Sequence, residues 1–216
     1  MGHIRTLIGK NSDSVPAEGK WGKKRLRSPG NSAKIIRIKA DRAGTPENGR
    51  AWRGERTAEW MKAALILENG DIYLGRSIGS TKTRVFEMVF NTSMTGYQEI
   101  LTDPSYAGQG IVMSYPLMGN YGVNHEDNES RRPWAEAFIV RHLSRVGSNF
   151  RCEGTLGDYL KEHDITGIED VDTRALTKTL RNQGSMNAMI TCAENFSVAD
   201  LLPAIRAYRV EGTVDK

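Results

Sequence analysis

The chain changes character at Met61, and that break decides which residues can build a core. Residues 1–60 carry 14 Lys and Arg against 6 Asp and Glu, a net of +8. Residues 61–216 carry 16 against 20, a net of −4, so the basic balance of the chain belongs to its first sixty residues. Stretches such as Asn11 to Gly22 and Ala43 to Gly54 are rich in Gly, Pro, Ser and charge. They hold too little apolar surface to offset the entropy of ordering a chain. A disordered basic extension is expected over 1–60. Met61 also reads as a natural start, which would make 1–60 a mis-assigned upstream segment. The densest basic run, Lys23-Lys24-Arg25-Leu26-Arg27, could meet a phosphate backbone by releasing counterions. It lacks interleaved aromatics, so nucleic acid is not the expected partner.

Targeting signals are weak. Met1-Gly2-His3-Ile4-Arg5-Thr6 fits a loose myristoylation pattern that is short enough to arise by chance. A signal-peptide core and a membrane-length apolar run are both missing. Asp13, Glu18, Asp41 and Glu47 argue against a transit peptide. Cys152 and Cys192 have no metal-type spacing. A cytoplasmic protein with no membrane partner, no bound metal and no cofactor of its own is expected.

From Met61 the pattern is that of compact structure. Lys62 to Leu67 and Ile72 to Gly75 flank an Asn69-Gly70 turn, where positive φ comes easily, and predict a hairpin. Val85 to Phe90 is too apolar for a one-sided sheet and predicts a strand covered on both faces. Further strands are expected at Ile111 to Tyr115, Ala135 to Leu143, Ile165 to Ile168 and Met186 to Thr191. Helices are expected from Thr155 to His163 with Thr155 as cap, from Asp172 to Gly184, and after Ser197. The expected class is α/β: a β/β/α-type domain with mixed sheets and flanking helices over 61–216.

The chemistry concentrates in Asn91-Thr92-Ser93-Met94-Thr95-Gly96-Tyr97-Gln98-Glu99-Ile100-Leu101-Thr102-Asp103-Pro104-Ser105-Tyr106. It reads as a loop after a strand, where directed donors and acceptors carry function. Asp103-Pro104 fixes a turn presenting Ser105, whose hydroxyl can accept from an ammonium and donate to a carboxylate. The plainer reading is that Asp103 and Ser105 satisfy turn amides. Gly119 to Asn124 lacks the spacing of a phosphate cradle and reads as an extended surface loop. His125-Glu126-Asp127 and His163-Asp164 read as solvated polar groups, His142 as a buried strand residue. Cys152 and Cys192 have no helix start or base beside them and read as structural. Asp170-Val171-Asp172 reads as an anionic helix start. No catalytic nucleophile can be assigned.

With these residues on the page, the chain resembles the small subunits of glutamine-hydrolysing carbamoyl phosphate synthetases. Val89 through Glu99 and Asp103-Pro104-Ser105-Tyr106 carry the resemblance, followed in order by Tyr115-Pro116-Leu117, Gly119-Asn120-Tyr121-Gly122, Ser148-Asn149-Phe150-Arg151 and Asp170 to Thr177. The match runs from about Met61 to Ala193, and 193–216 is a weakly matched tail. The resemblance implies an amino-terminal domain that supports a following glutaminase domain, which releases ammonia from glutamine. A large subunit then makes carbamoyl phosphate with bicarbonate, ATP and Mg, for arginine and pyrimidine synthesis. Ser105 matches the serine that touches glutamine. The glutaminase Cys, His and Glu have no counterpart here, so the chain is expected to be a fragment, inactive alone. Phe86 stands where the family usually has Gly, and Gly110 interrupts a strand start. Both bear on local strand geometry. Two rival classes remain: a nucleic-acid binder acting through 1–60, and a stand-alone interaction module. The first predicts steep salt dependence that disappears when 1–60 is removed.

Overall fold

The computed structural model describes residues 61–210 and the backbone of Ile35–Ile36. The remainder of 1–60 and the segment 211–216, including the expected disorder of the extension, lie outside the described residues.

Ile35–Ile36 forms β1, and then come β2 (Lys62–Leu67), β3 (Ile72–Ser77) and β4 (Arg84–Asn91). Helix α1 (Tyr97–Thr102) and a 3-10 turn (Pro104–Tyr106) lead to β5 (Gln109–Met113). Short β6 (Leu117–Met118), β7 (Ala137–Ile139) and β8 (His142–Leu143) precede α2 (Leu156–Glu162) and β9 (Thr166–Glu169). The chain continues through α3 (Thr173–Gln183), β10 (Met186–Thr191) and α4 (Val198–Ala207). This is the mixed α/β domain expected. The Asn-Gly hairpin forms as read, with Gly70 at φ 91° and the Leu67 amide donating to the Asp71 carbonyl. Thr155 and Asp172 cap α2 and α3 by accepting from Asp158 N at 3.2 Å and Ala175 N at 3.0 Å.

The main sheet runs β1-β3-β2-β10-β4-β5-β7-β9, and β3 also pairs with β9. That second pairing, Arg76 with Glu169 and Ser77 with Ile168, closes the sheet into a barrel. One edge of β3 is thus shared, its first residues meeting β1 and its last meeting β9. Strands β4, β5, β7 and β9 are mutually parallel, so their amino ends gather at one rim and their carboxyl ends at the other.

Alternation divides the apolar residues between two faces. Leu65, Leu67, Phe86, Met88, Val112, Ile139, Ile168 and Ile190 form the inner cluster, joined by Leu176 and Leu180 of α3. Outside, Ile111, Met113 and Phe138 pack on α1 and α2 through Tyr97, Leu101, Leu156 and Leu160. Ala64, Ile66 and Met189 pack on Ile205 of α4. This two-sided burial explains the apolar runs Ala63 to Leu67 of β2, Ile111 to Met113 of β5 and Ala188 to Ile190 of β10. The expectation for β4 holds in the same way: Phe86 and Met88 face inward, while Val85 and Val89 pack on the outer clusters.

Phe86 and Gly110, the two residues that unsettle strand geometry in the sequence, answer each other. The Phe86 ring lies where a Cβ on Gly110 would have to sit. A missing side chain on β5 makes room for a large one on β4.

Two expectations are corrected. The stretch Ala135 to Leu143 is not one strand, because the chain leaves the main sheet after Ile139 and pairs again as β8. His142 therefore lies outside the core with its side chain 55% exposed, 3.6 Å from Asp170. The stretch Gly119 to Asn124 is not a surface loop. Gly119, Gly122, Val123 and Asn124 are buried because α1 reaches across to them.

At the amino rim, Asp164 adopts positive φ and gathers three donors. Ser80 Oγ and Lys82 Nζ each lie at 2.5 Å and Arg84 Nη2 at 2.8 Å. The Lys82 and Ser80 contacts pull its carboxyl down to about 2. The folded pKa thus lies below the unfolded one, near 3.9. The stabilisation is fully present above pH ~4 and is lost as pH falls toward the folded value. Asp164→Asn should lower stability at pH 7, and the gap to wild type should close between pH 4 and 2. Urea unfolding at pH 7, 4 and 2 reads this, and a gap that persists at pH 2 would contradict it.

Candidate functional site

The polar run is mostly built into the fold. Gly96, at φ 76°, takes the left-handed conformation that turns the chain into α1. The helix is short and half polar, which hides it in the sequence. Its buried members are Tyr97, Gln98, Leu101 and Thr102, one face of two turns. Tyr97 donates its hydroxyl to the Gly122 carbonyl at 2.6 Å, and burial holds that phenol well above its ordinary range. Gln98 exchanges bonds with the backbone of Asn124: its amide nitrogen donates to the carbonyl, and its oxygen accepts from the amide at 3.0 Å. Thr102 Oγ1 donates to the Gln98 carbonyl and accepts from Glu129 N, each at 2.9 Å. A buried side chain left without these partners would cost about 1–3 kcal/mol, so each residue type here has a structural reason.

What the fold leaves over lies at the two ends of the run. Thr92, Ser93, Met94 and Thr95 are exposed. Ser105 is exposed at the centre of the 3-10 turn, and its hydroxyl has no partner among the described residues. Its amide donates to Asp103 Oδ1 at 2.8 Å, so the turn reading of Asp103 is correct and the aspartate is engaged. The turn is anchored at its other end by Tyr106, whose hydroxyl accepts from Asn91 Nδ2 at 3.2 Å. Asn91 Oδ1 in turn accepts from Ser93 N at 2.8 Å. Asn91, the last residue of β4, thereby links the exposed hydroxyl segment to the turn bearing Ser105. Sequence reasoning gave neither Asn91 nor Tyr106 a role, because the contact joins positions 15 residues apart across a helix.

The other candidate groups do not join this surface as reactive partners. His125 is 95% exposed beside Glu153, while Glu126 and Asp127 hold Arg151 at 3.1 and 3.0 Å. The Asn124 amide, then Tyr121 and Arg151, keep the Asp127 carboxyl below its ordinary value. His163 packs its ring on Tyr159, centroids 4.3 Å apart. Cys152 and Cys192 are free thiols. Cys152 sits against Gly122 and Gly147, and Cys192 against the inner cluster. Among the described residues no three His, Cys, Asp or Glu converge as a metal-binding group. None of the described helices is long and apolar enough to cross a membrane. The arrangement offers fixed hydrogen-bonding groups to a polar ligand, with Ser105 among the free hydroxyls.

Comparison with known proteins places this domain. Residues 65–190, more than half of the chain, match the family model for the carbamoyl-phosphate synthase small chain, CPSase domain. A carbamoyl phosphate synthase small chain from Clostridium perfringens (strain 13 / Type A) is 51% identical over 148 residues, 68% of this chain and 42% of that protein. The chloroplastic small chain of Arabidopsis thaliana is 47% identical over 150 residues, 69% of this chain and 35% of that one. That of Nitratidesulfovibrio vulgaris (Hildenborough) is 54% identical over 134 residues, covering 62% and 36%. The chain spans less than half the length of these relatives. The barrel from Leu65 of β2 to Ile190 of β10 and the segment carrying Asn91, Ser105 and Tyr106 fall inside the matched region, and the chain belongs to the carbamoyl-phosphate synthase small chain family.

Proposed function

We propose that residues 61–216 are the amino-terminal, non-nucleophilic domain of a glutamine-dependent carbamoyl phosphate synthase small subunit. In this reading the domain lends Ser105 to a glutamine site whose reactive thiol lies in a glutaminase domain. Ammonia released there passes to a large subunit, the component that uses bicarbonate, ATP and Mg. The subunit serves arginine or pyrimidine synthesis in the cytoplasm, and its layered description as a β/β/α domain belongs to the same proposal.

One observation carries it: a solvent-facing Ser105 hydroxyl without a partner, on a turn fixed at both ends by Asp103 and by the Asn91–Tyr106 bond. A hydroxyl meant only for the turn would be engaged there, as Asp103 is. A hydroxyl held in place beforehand meets a ligand with little further loss of freedom.

Two measurements test the reading. Purified 1–216 protein should release no ammonia from glutamine, and detectable release would contradict the assignment of the reactive thiol elsewhere. The same protein should co-purify with a carbamoyl phosphate synthase large subunit, and should still do so after residues 1–60 are removed. Binding that depends on 1–60 and collapses with salt would favour the nucleic-acid-type basic arm instead.

A further inference from the structure

The amino rim of the parallel strands, opposite the carboxyl end of β4 where Asn91 sits, encloses a cavity of about 600 Å³. It lies within the ~300–1,000 Å³ range of small-molecule sites. Residues next to or at the starts of β4, β5, β7 and β9 line it, and Tyr208-Arg209 of the tail close one side. Tyr208 is held there by donating its hydroxyl to the Gly108 carbonyl at 2.9 Å.

Three guanidinium groups, from Arg84, Arg132 and Arg209, face two carboxylates, Glu136 and Asp164. Both carboxylates are already engaged. Arg84 bonds Glu136 at 3.2 Å and Asp164 at 2.8 Å, and Asp164 also holds Lys82 and Ser80. Arg132 stacks 3.7 Å from the centre of the Trp134 ring and has no carboxylate partner among the described residues. The indole is itself fixed by Nε1 donating to Ser130 Oγ at 2.8 Å. Among the described residues Arg209 donates to the backbone carbonyls of Arg206 and Tyr208. The Arg84 Nε–H is buried and finds no acceptor among the described residues. An orphaned buried donor of this kind is rare in native proteins and usually marks an absent water or ion. Excess positive charge and a pre-stacked arginine share one concave surface, and the unmet donor belongs to Arg84 in its wall.

We propose that this cavity binds a phosphate-bearing small molecule, with Arg132 and Arg209 as its principal ligands and Arg84 at its inner wall. Guanidinium forks match phosphate oxygens, and charge-assisted bonds of this kind are the strong ones. The proposal is independent of the glutamine reading, since its ligands are the guanidinium groups at positions 84, 132 and 209 and it makes no use of the Ser105 hydroxyl.

The test is calorimetric titration of full 1–216 protein with inorganic phosphate, pyrophosphate and adenosine monophosphate, each at matched ionic strength set with chloride. At least one should bind saturably, and preference among the three separates a free oxyanion from a nucleotide phosphate. Arg132→Ala and Arg209→Ala, both exposed side chains, should each weaken that binding roughly tenfold or more. Arg181→Ala removes an equal charge outside the cavity and should leave it unchanged. Absence of saturable binding to all three anions would overturn the proposal. So would equal losses in all three variants, which would assign the binding to diffuse charge, including that of residues 1–60.

Discussion

Phe86→Ala should destabilise the domain by about 3–5 kcal/mol, the largest effect expected of any single truncation here. Phe86 is fully buried inside the barrel, and its ring fills the volume that Gly110 leaves on the neighbouring strand. Removing the ring opens a cavity that flanking β4 and β5 backbone, locked by parallel pairing, cannot collapse into. The reverse change, Gly110→Ala, drives a methyl into the ring and should cost about 1–3 kcal/mol. The double variant should be more stable than the two losses added together, because the new methyl then enters space the ring has vacated. Urea unfolding of the two single variants and the double variant measures the coupling. Strict additivity would mean that the two residues do not share that volume.

Gly75→Ala is expected to cost about 3 kcal/mol, and to do so at the seam of the barrel. Gly75 lies next to the residues where β3 meets β9, and a Cβ there would run into the Glu169 backbone carbonyl and the Ile168 side chain. A side-chain obstacle can rotate away, but a carbonyl in a paired strand cannot without breaking the pairing. Amide exchange should therefore accelerate first at Ile78, whose amide donates to the Gly167 carbonyl across the seam, ahead of the β2–β10 pairing on the far side of the hairpin. A variant that loses stability uniformly, with no early exchange at the seam, would show that closure does not depend on this contact.

The local features of this fold were readable because their causes are local. The Asn69-Gly70 turn, the caps at Thr155 and Asp172, and Gly184 closing α3 at φ 89° each depend on residues within a few positions. Barrel closure was not readable, since β3 and β9 are some ninety residues apart and neither strand encodes its partner. Gly75 was the one trace of it, a glycine in a strand interior marking close backbone approach. Helix α1 was concealed for a different reason. Gln98 and Thr102 are polar, and their burial makes sense only once Asn124 and Glu129 arrive from another part of the chain. The same arrival turned the Gly119 to Asn124 stretch from apparent surface into interior. His142 defeats the sequence pattern because its apolar run spans a point where the backbone changes sheets.

At the candidate site, Ser105 was legible from the Asp103-Pro104 turn, while its anchor at Asn91 and Tyr106 was not. The turn chemistry lies in adjacent residues, whereas the anchor needs a strand end and a helix to bring two side chains together. The arginine cavity left no sequence signal, since its three guanidinium groups come from positions 84, 132 and 209.

The central claim concerns what Ser105 does, and one kinetic measurement reaches it most directly. Residues 61–210 would replace the matching segment of the Clostridium perfringens small chain, and the hybrid would be paired with its large subunit. Carbamoyl phosphate formation would then be followed with glutamine and, separately, with ammonia. Ser105→Ala should raise the KM for glutamine roughly tenfold or more, the loss expected of a hydrogen bond to a charged ligand group. The rate with ammonia should be unchanged, because ammonia bypasses the glutamine site. An unaltered glutamine KM in a hybrid that is otherwise active would contradict the account.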